Sequence, residues 1–306
     1  MSVALLFPGQ GVQHHAMLPW LDEHPLAADT LAWMGNYIGA DWRERLADDA
    51  WSGSNAVAQC LLVGVSLAAF RVVAAKLPRP VAMAGYSVGE LAACAAAGMF
   101  DDSESLQLAH RRAVAMDACA AAVESGLLSA NGVENHVVDA VCARFGVWIA
   151  IRISVDRCVL GGPLDALAAA TQMLVDTGAE VVPLRVALAA HTPMMAPAGD
   201  AFATIIAPLP WRNADVVIAS NIDGRGRRDA SALKIALSRQ IATTVRWDRC
   251  MDTIAERGPR CVLEVGPGSA LSRMWATRHA DVPVRSVDEF RSADAVAEWV
   301  ARMGAS

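Results

Sequence analysis

Val81-Ala82-Met83-Ala84-Gly85-Tyr86-Ser87-Val88-Gly89-Glu90-Leu91 is the stretch on which the reading of this chain turns. It opens as a short apolar run that predicts a buried strand, passes through Gly-x-Ser-x-Gly and continues over residues 88–97 as a helix. Strand, turn and helix around that motif form the setting of a nucleophile elbow, in which a sharp bend lifts a serine hydroxyl clear of its neighbours. A Cβ at Gly85 or Gly89 would crowd such a bend. The free N–H groups at the start of the helix face back towards Ser87 and favour the negative charge that develops when an acyl group is attacked. The same pattern also arises by chance in a chain rich in glycine, alanine and serine, so other residues must support it.

The rest of the chain sets bounds. Its 306 residues allow one large domain or a domain carrying an insertion. With 54% hydrophobic and 19% charged residues there is material for a substantial core, which excludes a globally disordered chain. Lys and Arg number 26 against 32 Asp and Glu, a formal net charge of -6, which gives no basic footprint for nucleic acid. The seven cysteines form no C-x-x-C pair, are odd in number and sit in apolar surroundings. They read as reduced core thiols of a cytoplasmic protein, with no metal site. Residues 1–8 lack a basic leader, and their apolar run is too short for a signal peptide. Apolar tracts such as 60–70 and 91–99 read as shorter than a membrane span.

Upstream of the elbow, residues 3–7 are continuously apolar, as in a fully buried strand. They end in Pro8-Gly9-Gln10-Gly11, a glycine turn that lets backbone approach a ligand closely. The lysine of a phosphate loop and the spacing of a dinucleotide fold are both missing, and a plain strand-to-helix turn fits equally. Residues 56–77 are apolar on nearly every face and predict a central buried helix. Gln59 is the polar exception near its start, either satisfied locally or lining a site.

Downstream, Asp101 begins a helix in which Ala109, Arg112, Ala113 and Met116 share one face. A guanidinium on such a stripe needs an anion, because an unpaired buried cation is costly. That anion is either an internal Asp or Glu or the carboxylate of a substrate held in a bidentate fork. Residues 120–189 change character. Strands over 126–133, 147–153, 157–160 and 180–188 alternate with helices over 134–145 and 164–177, with Gly161-Gly162-Pro163 closing the third strand. This β-α-β-β-α-β order predicts a small ferredoxin-like unit inserted into a larger domain made of 1–119 and 190–306.

The last of these strands leads into Ala190-His191-Thr192-Pro193, with Thr192 placed to cap a helix and Pro193 in its first turn. The positive end of that helix would lower the pKa of His191 and keep it neutral, able to act as a base. Taken alone, one histidine among seven is as readily a core or surface residue. Further strands over 216–220, 261–265 and 282–287 are separated by helices, one of which carries Gln240. The whole predicts an α/β fold with a mainly parallel sheet.

Together these residues resemble the malonyl-CoA:acyl-carrier-protein transacylase family. The resemblance is carried by Phe7-Pro8-Gly9-Gln10-Gly11, Gly85-Tyr86-Ser87-Val88-Gly89-Glu90, and Arg112 twenty-five positions after Ser87. It continues with His191, Gln240 followed by Val245-Arg246-Trp247, and Glu264-Val265-Gly266-Pro267-Gly268, in one order over nearly the whole chain. It implies an α/β-hydrolase-like large domain around the inserted small one. Ser87 is then the nucleophile and His191 its base, oriented by the backbone carbonyl of Gln240. The N–H groups of Gln10 and Val88 form the oxyanion hole, Arg112 holds the malonyl carboxylate, and Gln59 helps line the pocket. No bound cofactor is implied. Malonyl-CoA is the substrate and the prosthetic thiol of an acyl carrier protein the acceptor, in a ping-pong exchange whose difficulty is to keep water out.

Two positions depart from the family pattern. Tyr86 stands where His is common before the nucleophile, and Ala190 where Ser or Phe is common before the base. Both border the acyl pocket in this reading and bear on strictness for malonyl. The His24-Pro25-Leu26-Ala27 segment after Leu18-Pro19, together with Val88 and a residue other than His before Ser87, is similar to one branch of the family. That branch is the epsilon subunit of malonate decarboxylase, which loads a small carrier subunit of its complex. The resemblance favours that branch over the fatty-acid enzyme, with stand-alone polyketide loading enzymes as a further alternative.

Two further classes are weighed. A serine hydrolase or thioesterase places an acidic third member between Ser and His, and Asp156, Asp165 and Asp176 fall in that interval, although in the inserted unit. A non-catalytic carrier-binding module has no need of Ser87, His191 and Arg112 together. None of these readings involves nucleic acid or a membrane.

Overall fold

The structure, a computed structural model, describes residues 2–305. Its strands, in chain order, are β1 (Val3–Phe7), β2 (Ala82–Gly85), β3 (Ser125–Asn131), β4 (Trp148–Arg152), β5 (Arg157–Pro163), β6 (Glu180–Pro183), β7 (Val217–Ala219), β8 (Gly226–Arg227), β9 (Val245–Arg246), β10 (Cys261–Glu264) and β11 (Val284–Ser286). They form two sheets in an α/β fold.

The larger sheet runs β11-β10-β1-β2-β7-β8 and is parallel except at β8, which returns antiparallel to β7. Strands β1, β2 and β10 are buried along their whole length, as apolar runs covered by helices on both faces require, with Glu264 the one charged residue among them. Helix Asn55–Ala74 makes part of the crossover from β1 to β2 and packs against helices Pro25–Ile38 and Asp102–Ala120. The tract at 60–70, which reads as too short for a membrane span, lies inside this 20-residue helix. The helix is long and apolar enough to cross a membrane, but 83% of its apolar window is buried within the protein.

Parallel pairing in close register places Phe7 beside Gly85, Ala84 beside Ala219 and Leu6 beside Glu264. The turns that follow β1, β2, β7 and β10 therefore collect along one rim of the sheet. That rim is where open α/β sheets form their sites.

The smaller sheet runs β6-β3-β5-β4-β9, and its first four strands are antiparallel. Helices Asn135–Phe145 and Leu164–Asp176 lie in its connections. An apolar cluster including Leu128, Val138, Val141, Leu160 and Leu174 is separate from the main core. The order β-α-β-β-α-β is the expected one, but three details differ. Gly161, Gly162 and Pro163 do not close the third strand; β5 stays paired with β3 as far as Pro163. A Cβ on Gly161 would lie 2.7 Å from Thr192 Cγ2, and one on Gly162 2.9 Å from Val147 Cγ1, so these glycines serve close packing. The strand expected over 180–188 stops at Pro183, after which the Leu184 N–H makes the last ladder bond, to Leu127 O at 2.9 Å. Finally, the sheet takes an edge strand from outside 120–189, since β9 lies parallel to β4 with Val245 beside Ile151.

Candidate active site

The turn between β2 and helix Gly89–Ala96 is built on its two glycines. A Cβ on Gly85 would fall 2.0 Å from the carbonyl carbon of Gly89, and one on Gly89 2.3 Å from Phe7 O. Ser87 between them has left-handed backbone, φ +54°, which is unfavourable for a residue with a Cβ. Asn221, two residues beyond β7, holds it there. Its Oδ1 accepts the Ser87 N–H at 2.9 Å while its Nδ2 donates to Gly85 O at 2.7 Å.

Ser87 Oγ lies 2.7 Å from His191 Nε2, and His191 Nδ1 lies 2.7 Å from Gln240 O. A carbonyl oxygen only accepts, so Nδ1 carries the proton and Nε2 is left to accept from the serine hydroxyl. His191 also has left-handed backbone, φ +64°, and its own N–H donates to Ile241 O at 2.9 Å. Burial pushes its pKa down to about 3, the Arg112 charge acting in the same direction and the Gln240 carbonyl against it. The direction is the expected one, but the cause is not a helix terminus. His191 is followed by a short 3-10 turn, Pro193–Met195, before helix Ala196–Ile206. Thr192 does not cap it; its hydroxyl donates back to Ala189 O at 2.7 Å.

Arg112 is only 2% exposed. Among the described residues it makes no ion pair; its partners are Gln59 Oε1 at 2.6 Å and Gln240 Oε1 at 2.9 Å. The internal salt bridge considered from sequence is thus replaced by two amide oxygens. Burial lowers its pKa to about 10, with the more distant Glu90 raising it, and it stays protonated at neutral pH. A cation held only by neutral groups keeps its charge available to an anion.

Gln240 joins these pieces. Its carbonyl meets His191, its Oε1 meets Arg112, and its Nε2 donates to Ser87 O at 2.8 Å and Glu90 Oε2 at 2.7 Å. Gln59 and Gln10 are tied together in turn, both donating through Nε2 to Asn55 Oδ1, at 2.7 and 3.0 Å. The backbone N–H groups of Gln10 and Val88 meet no acceptor among the described residues. Tyr86 sets its ring edge-on against Trp247, 5.2 Å between centroids, and Ala190 is buried in the main core. A cavity of about 250 Å³ opens beside Gln10, lined also by Asn55, Asp117, Arg185 and Leu188 but not by Tyr86 or Ala190.

Sequence reasoning brings Ser87, His191, Gln240, Arg112, Gln59 and Gln10 forward, and the fold gathers them. It misses Asn221, Glu90 and Asn55. Glu90 did carry a signal: it is the single charge in a helix otherwise made of Gly, Leu, Ala and Cys. Asn221 follows a buried strand at the rim where parallel sheets place their polar groups. Nothing local marks Asn55.

The acyl transferase domain family matches residues 4–301. The chain is 33% identical over 292 residues to the malonyl CoA-acyl carrier protein transacylase of Mycobacterium bovis, covering 93% of this chain and 96% of that one. Its structure superposes on the malonyl-CoA:acyl carrier protein transacylase of Xanthomonas oryzae with a TM-score of 0.91 at 28% identity, over 98% of this chain and 99% of that one. It likewise superposes on a malonyl-transacylase solved in complex with its type II polyketide acyl-carrier protein, with a TM-score of 0.90 at 26% identity, over 97% and 99%. With its motifs in one order and a family match over nearly its full length, this chain belongs to the acyl transferase domain family.

Proposed function

We propose that this chain is an S-malonyltransferase that carries malonyl from malonyl-CoA to the phosphopantetheine-type thiol of an acyl carrier protein, through a malonyl ester on Ser87. The observation that carries the proposal is a buried Arg112, without an acid partner among the described residues, one amide side chain away from the Ser87–His191 pair. In the first half-reaction His191 Nε2 takes the Ser87 proton as Oγ attacks the thioester carbonyl. The N–H groups of Gln10 and Val88 receive the oxyanion, and coenzyme A leaves with the proton from His191. In the second half the carrier thiol gives its proton to His191 and attacks the ester, and Ser87 recovers its hydrogen. Arg112 forks the free carboxylate throughout, with Gln59 fixing one of its nitrogens.

The low pKa of His191 fits this exchange. A weak base activates a thiol, whose pKa is about 8–9, far more readily than water at about 16. Transfer to the carrier is thereby favoured over hydrolysis. The relative solved with its carrier supports the partner. Tyr86 and Ala190 are assigned to the acyl pocket wall, on the family pattern.

In this reading the large sheet with its elbow is an α/β-hydrolase-like domain of 1–119 and 190–306. Residues 120–189 are a ferredoxin-like insertion, supported by the strand order β6-β3-β5-β4 and the separate core. All seven cysteines are free thiols, which suits the cytoplasmic location we infer. A hydrolase triad finds no support, because Nδ1 of His191 faces a backbone carbonyl. Asp156, Asp165 and Asp176 bond locally to Ser154, Ala166 and Gln172. The segment that resembles the malonate decarboxylase branch has a structural task here: His24 Nδ1 accepts from Leu26 N at 3.2 Å and caps a helix.

The test is acyl exchange from a panel of acyl-CoAs onto a fatty-acid carrier and a malonate decarboxylase carrier. Malonyl should appear on carrier with the parent and not with Ser87→Ala. Which carrier is loaded decides the branch. Release of free malonate with no carrier present would instead support the hydrolase.

A further inference from the structure

Glu90 takes no part in the steps above, yet it is fully buried beneath the elbow, and its two oxygens reach both halves of the machinery. Oε1 accepts the N–H of Asn221 at 3.1 Å, and Oε2 accepts from Gln240 Nε2 at 2.7 Å. Each donor belongs to a residue with a second task. Asn221 clamps the two sides of the strained turn, at Gly85 O and Ser87 N. Gln240, with its nitrogen committed to Glu90 and Ser87 O, is obliged to present Oε1 to Arg112. We propose that Glu90 is a positioning residue: its ionised carboxylate fixes Asn221 on the nucleophile side and Gln240 on the cation side, so that loading of an acid-ended acyl group requires Glu90 to be charged. This rests on the transferase reading.

The hydrogen-bond inventory explains why a neutral group of the same shape cannot substitute. The Asn221 N–H and Gln240 Nε2 are both donors, the Ser220 hydroxyl beside them also favours the charge, and a carboxylate meets the two arms with an acceptor on each side. A protonated acid keeps only a weaker acceptor on its hydroxyl oxygen, and an amide presents an NH2 on one side. One arm is weakened in consequence. Either Asn221 lets the left-handed turn at Ser87 relax, or the Gln240 amide rotates and turns its NH2 group towards the guanidinium.

The charged and titratable groups around Glu90 are few. Arg112 comes from helix Asp102–Ala120 and Arg227 from β8, the latter engaged with Asp223. Cys94 lies on Glu90's own helix and Cys250 on helix Trp247–Ala255. Burial outweighs the bonds and cations that favour the charge, and lifts the pKa of Glu90 to about 7.

The loading half-reaction alone, malonyl-CoA onto Ser87, tests this without the carrier thiol. Rates are followed by quench and intact mass across about pH 5.5–9. The parent should lose rate on the acid side near 7, far above the His191 value. Glu90→Gln should load malonyl about tenfold slower at the alkaline end, with no acid limb. The inference is overturned by a parent profile that is flat across the range. It is equally overturned if Glu90→Gln keeps the parent's rate, or is slower with the acid limb intact, as a merely structural role would give. Should Glu90→Gln fail to fold, Glu90→Asp decides, because it retains the acid and must retain an acid limb. A parent that forms no malonyl ester at any pH rejects the transferase reading instead.

Discussion

Ser87 Oγ and His191 Nε2 stand 2.7 Å apart, and both residues hold left-handed backbone, φ +54° and +64°. Leu18 is the only other non-glycine residue among those described with positive φ. Such backbone costs about 1–3 kcal/mol per residue and persists where the surroundings over-determine it. Here Asn221 fixes one residue and Ile241 O the other. Ser87→Gly should therefore raise stability, by about 1 kcal/mol, while abolishing malonyl loading. Denaturant unfolding beside a loading assay checks the pair of effects, and a destabilised variant contradicts the strain argument.

Gly89 is fixed by contact rather than by φ. A Cβ there would lie 2.3 Å from Phe7 O and 2.6 Å from Pro8 O, both backbone atoms leading into the Gln10 turn. Gly89→Ala should cost about 3 kcal/mol and displace that turn, so surviving folded protein loads malonyl poorly. A variant with parent-like melting and rate contradicts the packing.

His191 binds its proton less readily folded, near 3, than at its ordinary 6.5. Between those values the unfolded chain holds the extra proton, so this contribution to stability is lost as pH falls through the window. Glu90 and Glu264 act oppositely. Burial lifts both from 4.5 to about 7, and the folded state gains from their protonation as pH falls. His191→Asn removes only the first contribution. Its stability relative to the parent should climb as pH drops from about 6.5 to 4.5, by at most about 1.4 kcal/mol per pH unit. Urea unfolding at several pH values reads that gap, and a gap independent of pH contradicts a buried neutral imidazole.

In the proposed exchange Arg112 selects for an acid tail. Arg112→Ala should lower kcat/KM for malonyl-CoA relative to acetyl-CoA roughly a hundredfold, since a buried ion pair that loses one partner costs about 3 kcal/mol or more. Arg112→Lys keeps the charge but not the fork and should fall between. An unchanged ratio in Arg112→Ala places the carboxylate elsewhere.

Several parts of this fold are legible in the sequence for physical reasons. Runs at β1 and β2 are apolar at every position, and β10 at all but Glu264, because both faces are covered, and the elbow glycines sit where a side chain cannot fit. What escapes is fixed by partners far along the chain. Strands β8 and β9 have two residues each, too few to show a period. Thr192 has the spacing of a cap, yet its hydroxyl finds a nearer carbonyl three residues back. The surroundings of Arg112 are supplied by Gln59 and Gln240, 53 and 128 positions away, and no local pattern announces them. The strand expected to deliver His191 ends eight residues before it, at Pro183, and the cause of its neutrality is burial, which only the assembled fold reveals.

The most direct test is intact mass and peptide mapping after brief incubation with malonyl-CoA and no carrier. One malonyl group should be found on Ser87 of the parent, none on Ser87→Ala, and the group should pass to carrier thiol when holo carrier is added. A parent that stays unmodified, or one modified at another residue while Ser87→Ala is labelled equally, would contradict the account.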